Sequence, residues 1–171
     1  ELGSFVAVNT LNGETLTNIY SAEQIDIMNK YRLGDIFTSY ELKTPSDLIT
    51  NMQMIQTLSR LIGANSDTDT VDYLRDEGIN VPYLSDFSIL TSEVANYLYV
   101  QIYAKKHQLN MNSIVIRNYN AIEDINSVKL SYRNTLLKGV SLSIIQLEQN
   151  RLLPANQMTI EEFFRLIENI E

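Results

Sequence analysis

The chain has 171 residues, 44% apolar and 20% charged, which suits one folded unit or a short array of repeats and lies in the globular rather than the disordered range. Lys and Arg number 13 against 21 Asp and Glu, a formal net charge of −8, the opposite of the balance that nucleic acid or an anionic membrane selects. There is no cysteine, which removes thiol catalysis, disulfides and cysteine-based metal centres.

The first 17 residues alternate around Asn12-Gly13, a pair that tolerates both positive φ angles of a type I′ turn, so a short hairpin or extended segment is expected over 1–17. From Ser21 the pattern turns helical. Ser21 and Gln24 form a capping box for a helix over 22–33, with Ile25 and Met28 on one face and Gly34 as a left-handed stop. Thr50 and Gln53 repeat the box before a helix in which Ile55, Leu58, Leu61 and Ile62 recur at helical spacing, ended by Gly63. Asp67 or Asp69 opens a short helix to Glu77 that closes on Gly78-Ile79. Thr91 opens a longer one to about Lys106 with a spine of Ala95, Leu98 and Ile102. Tyr97, Tyr99 and Tyr103 flank that spine and read as packing rather than as a ligand platform. His107 falls at the helix end, where a cation suits the dipole, and a lone imidazole cannot build a His-based metal site.

Residues 111–119 are too short a run to classify by period. A helix is expected over 127–138, stopped near Gly139, then a further turn or two over 142–150. Thr159 and Glu162 box a last helix over 160–170, with Phe163, Leu166, Ile167 and Ile170 inward. No apolar run reaches the roughly 20 residues of a transmembrane helix, so no membrane insertion is expected. The expectation is an all-α body in which Thr50, Thr91 and Thr159 each cap a helix, a role that contributes on the order of 1 kcal/mol.

Three segments share one plan: a first helix, a glycine-containing corner, an irregular loop and a capped second helix. The corners are Tyr31-Arg32-Leu33-Gly34, Gly78-Ile79 and Lys138-Gly139-Val140. The second helices open on Ile49-Thr50, Leu90-Thr91 and Met158-Thr159, where the aliphatic residue staples the entering chain and the hydroxyl caps it. The plan divides residues 18–171 into units of about 18–64, 65–107 and 119–171 around a central helical bundle.

A glycine corner, a loop with proline and an aliphatic-Thr helix start resemble the S-layer homology (SLH) repeat. The strongest copy runs Leu152-Leu153-Pro154-Ala155-Asn156-Gln157-Met158-Thr159-Ile160-Glu161-Glu162-Phe163. Glu123-Asp124-Ile125 is similar to the opening of a family repeat, and Asn18-Ile19 to an altered first copy. The resemblance implies a pseudo-threefold, non-catalytic module, part of a larger extracellular Gram-positive protein, that anchors it to secondary cell-wall polysaccharide. The chain departs from the family where the arginine after each Thr should stand: Asn51, Ser92 and Ile160 occupy those places. The following glutamate survives only as Glu162, and there is no tryptophan.

An acidic polymer needs cationic forks. Residues 1–100 carry 5 basic and 14 acidic side chains, whereas 101–171 carry 8 and 7. The expected ligand-binding residues are therefore Arg151 and Arg165 beside the best copy, with Arg133 and Lys138 on its first helix. Two alternatives stand beside anchoring. One is an SLH-like scaffold for contact with another surface protein, without glycan binding; the other is an accessory helical domain of a surface enzyme. No catalytic residue, metal or cofactor is expected. The glycines are scattered singly, no G-x-S-x-G elbow occurs, and Asp67, Asp69 and Asp72 suit helix capping better than calcium because the glycine and distal glutamate of an EF-hand are missing.

Overall fold

The computed structural model describes residues 10–11, 14–15, 19–38, 43–65, 68–117 and 119–171. Among them are seven α-helices: α1 (Ala22–Tyr31), α2 (Gly34–Thr38), α3 (Asn51–Leu61), α4 (Thr70–Asp76), α5 (Ser92–Lys106), α6 (Leu130–Ser141) and α7 (Ile160–Ile170). The protein is mostly helical. Near the N-terminus β1 (Thr10–Leu11) and β2 (Glu14–Thr15) pair antiparallel, Thr10 with Thr15. The turn residues Asn12 and Gly13, with most of the expected 1–17 segment, lie outside the described residues, as does Asp67.

The helix starts follow local chemistry. Ser21, Thr50 and Thr159 each accept from the backbone N–H three residues on, and Gln24, Gln53 and Glu162 return the bond, completing three capping boxes. Asp69 caps α4 alone. Thr91 holds the N-cap position of α5 with extended backbone, but its hydroxyl makes no capping bond. Val94, at the third position of that helix, has no acceptor for the reciprocal half.

The helix ends correct three expectations. The left-handed residue after α1 is Arg32 (φ 57°, ψ 46°), and Gly34 instead begins α2. Leu33 is fully buried and its N–H returns to the Met28 carbonyl at 2.8 Å, so burial of Leu33 fixes which residue turns. The same closure recurs after α4, from Ile79 to Leu74, and after α6, from Ile144 to Gly139, with Gly78 and Ser143 as the positive-φ residues. Gly139 therefore lies inside α6 rather than ending it. A Cβ there would come within 2.6 Å of Val100 and Ile145, so the glycine permits α5 to approach. Residues 142–150 hold no helix. Glu148 and Arg151 exchange both backbone bonds across Gln149 and Asn150, whose φ angles of 48° and 64° make a type I′ turn.

The second helices begin from a closed ring of backbone bonds. Ile49 N–H donates to Met158, Leu90 N–H to Ile49, and Met158 N–H to Leu90, at 3.1, 2.9 and 3.0 Å. The first two amides of each of these helices extend the ring outward. Asn51 and Met52 donate to Ser88 and Asp86, Ser92 and Glu93 to Asn156 and Pro154, and Ile160 and Glu161 to Asp47 and Pro45. Below the ring α5 is buried along most of its length, from Val94 to Ala104, and packs along α6. Leu58 and Leu98 are buried as their stripes require, whereas Leu166 is half-buried and Phe163, Phe164 and Ile167 fill the core. Phe164 meets Phe37 and Tyr20 at centroid distances of 5.7 and 6.2 Å, joining α7 to the first helices.

Candidate functional site

A helix N-terminus receives anions when its first amides point at solvent. In α3, α5 and α7 the first two amides are bonded to neighbouring loop carbonyls. With Asn51, Ser92 and Ile160 where a guanidinium would serve, these three helix starts are structural joints.

The cations expected to bind ligand are dispersed. Arg133, on α6, donates to the carbonyls of Val128 and Asn126, both at 2.9 Å. Arg151 pairs with Glu123 at 2.9 Å, and Arg165 with Glu161 one turn earlier on α7 at 3.1 Å. Lys138 is half-buried on α6. Arg151 lies beside a second fixed point, the Asp124 carboxylate, which accepts from the amides of Leu152 and Leu153 at 2.8 Å each. That carboxylate sets the path of the loop into α7.

The more concentrated cationic site lies where α1 and α3 end. Lys30, Tyr31, Arg32, Asp35, Arg60, Gly63, Ala64 and Asn65 line a cleft of about 450 Å³. Arg60 is 9% exposed and forms its inner wall. Its guanidinium donates to both Asp35 carboxylate oxygens, at 2.6 and 2.9 Å, and to the Arg32 carbonyl. This bidentate pair holds α2 against α3, and the exposed Arg32, whose carbonyl Arg60 also binds, lines the same cleft. Three cations and one carboxylate thus line a cleft in the half of the chain that is acidic overall.

The cleft edge is organised by Glu171. Its carboxylate accepts from Lys30 Nζ at 2.5 Å and from the Tyr31 hydroxyl, while Lys106 Nζ donates to Tyr31 at 3.0 Å and stands 5.0 Å from its ring centre. Partial burial pushes Glu171 up, but the hydrogen bonds from Lys30 and Tyr31 and the charges of Lys30 and Lys106 hold it below the usual carboxylate range. Lys30 is raised, chiefly by its bond to Glu171.

A second cleft, about 310 Å³, lies across Arg60 and Asn65. Met52, Ile55 and Val71 give it apolar lining, and Asp69, Asp86, Gln56 and Thr68 add polar groups. Among the described residues no cluster of three or more His, Asp or Glu could hold a metal ion, and no helix is long and apolar enough to cross a membrane.

Sequence reading missed the first cleft because its members come from residues 30–35 and 60–65 with support from 106 and 171. One local signal was available: Arg60 stands between Leu58 and Leu61, on a helix whose last turns are almost entirely buried. A guanidinium there requires a partner. Comparisons with known proteins add no neighbour: no family model, no curated protein and no solved structure matches the chain.

Proposed function

We propose that this chain is a non-catalytic, SLH-like module of three related helix–loop–helix units that anchors a larger extracellular protein to an anionic cell-wall polysaccharide. The observation that carries the reading is the ring in which Ile49, Leu90 and Met158 bond cyclically while each following helix start bonds the next loop. Three segments making the same backbone bonds in rotation support a common unit. Their corners at Arg32-Leu33, Gly78-Ile79 and Ser143-Ile144 close with the same backbone bond, one that also ends α3 at Gly63-Ala64 and α5 at Gln108-Leu109. The polymer contacts are assigned to the α1–α3 cleft, lined by the exposed Arg32 and by Lys30, whose charge Glu171 shares, with Arg151 and Arg165 as secondary contacts. Arg133 and Lys138 are weaker candidates, one bonded to loop carbonyls and the other half-buried.

Sedimentation with purified Gram-positive sacculi, before and after extraction of secondary polymers, tests the reading. Retention that depends on the polymer, weakens with salt and falls at least tenfold in Lys30→Glu/Arg32→Glu is the expected result. A larger loss in Arg151→Glu/Arg165→Glu would move the contact to the third unit. Retention indifferent to polymer extraction would remove glycan anchoring and favour the protein-contact scaffold.

A further inference from the structure

The loop entering α5 carries the two most exposed aromatic side chains among the described residues, Tyr83 at 98% and Phe87 at 77%. It is held at three points: Asn51 Nδ2 donates to the Ser85 carbonyl at 2.9 Å, and the amides of Met52 and Asn51 donate to Asp86 and Ser88, both at 3.0 Å. Leu84 packs against the core between the two rings. The positions after the acceptors Pro45 and Pro154 are Ser46 and Ala155, so at this position only the loop entering α5 carries an aromatic ring. Large aromatic rings carried on a hydrogen-bonded loop make effective anchors.

The chemistry beside the rings specifies the partner. Asp86, next to Phe87 in the chain, joins the loop to the second cleft, a mostly polar one in which Met52, Ile55 and Val71 supply the apolar part of the lining and Asp69 stands with Asp86. Residues 69–86 carry five carboxylates and one arginine. Arg75 is paired with Asp72 and Lys105 with Glu77, whereas Asp69 and Asp86 have no ion pair among the described residues. Arg60, in the same cleft, is already matched by Asp35. Carboxylates and π-faces both favour cations.

We propose that this cleft and the Tyr83–Phe87 loop dock a basic polypeptide segment, whose aliphatic side chains enter the cleft while its Lys or Arg groups meet Asp69, Asp86 and the two rings. This surface shares Arg60 and Asn65 with the cleft assigned to the polymer but uses neither Lys30 nor Arg32, and it stands whether or not the anchoring reading holds. Fluorescence anisotropy with a labelled peptide of alternating Lys and Leu tests it, using the same peptide with Glu for Lys as control. The expected result is saturable binding of the Lys peptide alone, weakened at least tenfold in Tyr83→Ala/Phe87→Ala and in Asp69→Asn/Asp86→Asn. Asn at 69 keeps the helix cap, and unchanged melting of both variants separates binding from folding. Glu161→Gln/Glu168→Gln, on α7, should bind as the parent does. No saturable binding, or equal affinity in all variants, would overturn the proposal. So would loss of sacculus retention in Tyr83→Ala/Phe87→Ala without loss of peptide binding, since the loop would then serve the glycan.

Discussion

At the residue scale, Arg32 links stability to function. A left-handed backbone at a non-glycine residue costs roughly 1 kcal/mol, and the exposed Arg32, which lines the cleft, turns there. Arg32→Gly should therefore raise stability by up to about 1 kcal/mol in urea denaturation while lowering sacculus retention. The caps give a second comparison. Thr50→Ala and Thr159→Ala should each lose about 1 kcal/mol, and Thr91→Ala clearly less, because only the first two hydroxyls make capping bonds. Gly139→Ala should destabilise by about 1–3 kcal/mol despite its helical position, since Val100 and Ile145 leave no room for a methyl group. Measured midpoints and slopes in urea would rank these changes.

At the element scale, what the sequence makes legible is what depends on neighbours three or four residues away. The boxes at Ser21, Thr50 and Thr159 and the buried stripe of α3 follow from spacing alone, whereas α5 is buried on every side from Val94 to Val100, beyond its spine of Ala95, Leu98 and Ile102. Gly139 misleads because the same residue suits a helix stop and a close helix approach, and only the position of Val100 on α5 distinguishes them. The stops at Arg32 and Ser143 carry no glycine; the fully buried Leu33 follows the first, and the partly buried Ile144 with the buried Ile145 follows the second. The cleft was illegible for a related reason: Asp35 and Arg60 meet only after α2 folds back on α3.

The tie between α1 and α7 is also nonlocal, and pH tests it. Glu171 is depressed in the fold, so its contribution is present above the unfolded carboxylate pKa of about 4.3 and is lost as pH falls through the lower folded value. Lys30 is raised, so its contribution is present below about 10.4 and is lost as pH rises through the higher folded value. Both charges are therefore in place across the neutral range. The Glu171→Gln protein should melt at a lower temperature than the parent at pH 7, with the difference shrinking toward pH 3. Both groups are well solvated, so the effect should be small; a difference that grows on acidification would exclude this ion pair as its source.

At the scale of the whole molecule, the backbone ring makes the second helices interdependent. Ile49 and Leu90 are fully buried and Met158 nearly so, and each donates an amide to one neighbour in the ring and accepts from the other. Opening any one segment would strand buried donors and acceptors on the other two, so the ring should open only when the molecule unfolds. A plan of three units in rotation requires this equivalence, and the anchoring proposal rests on that plan. Native-state hydrogen exchange at the amides of Ile49, Leu90 and Met158 tests it most directly. The three should exchange with the same free energy, equal to that of global unfolding and with the same denaturant dependence. Exchange of one of them through a local opening, independent of denaturant and 100-fold faster than the other two, would contradict the closed ring.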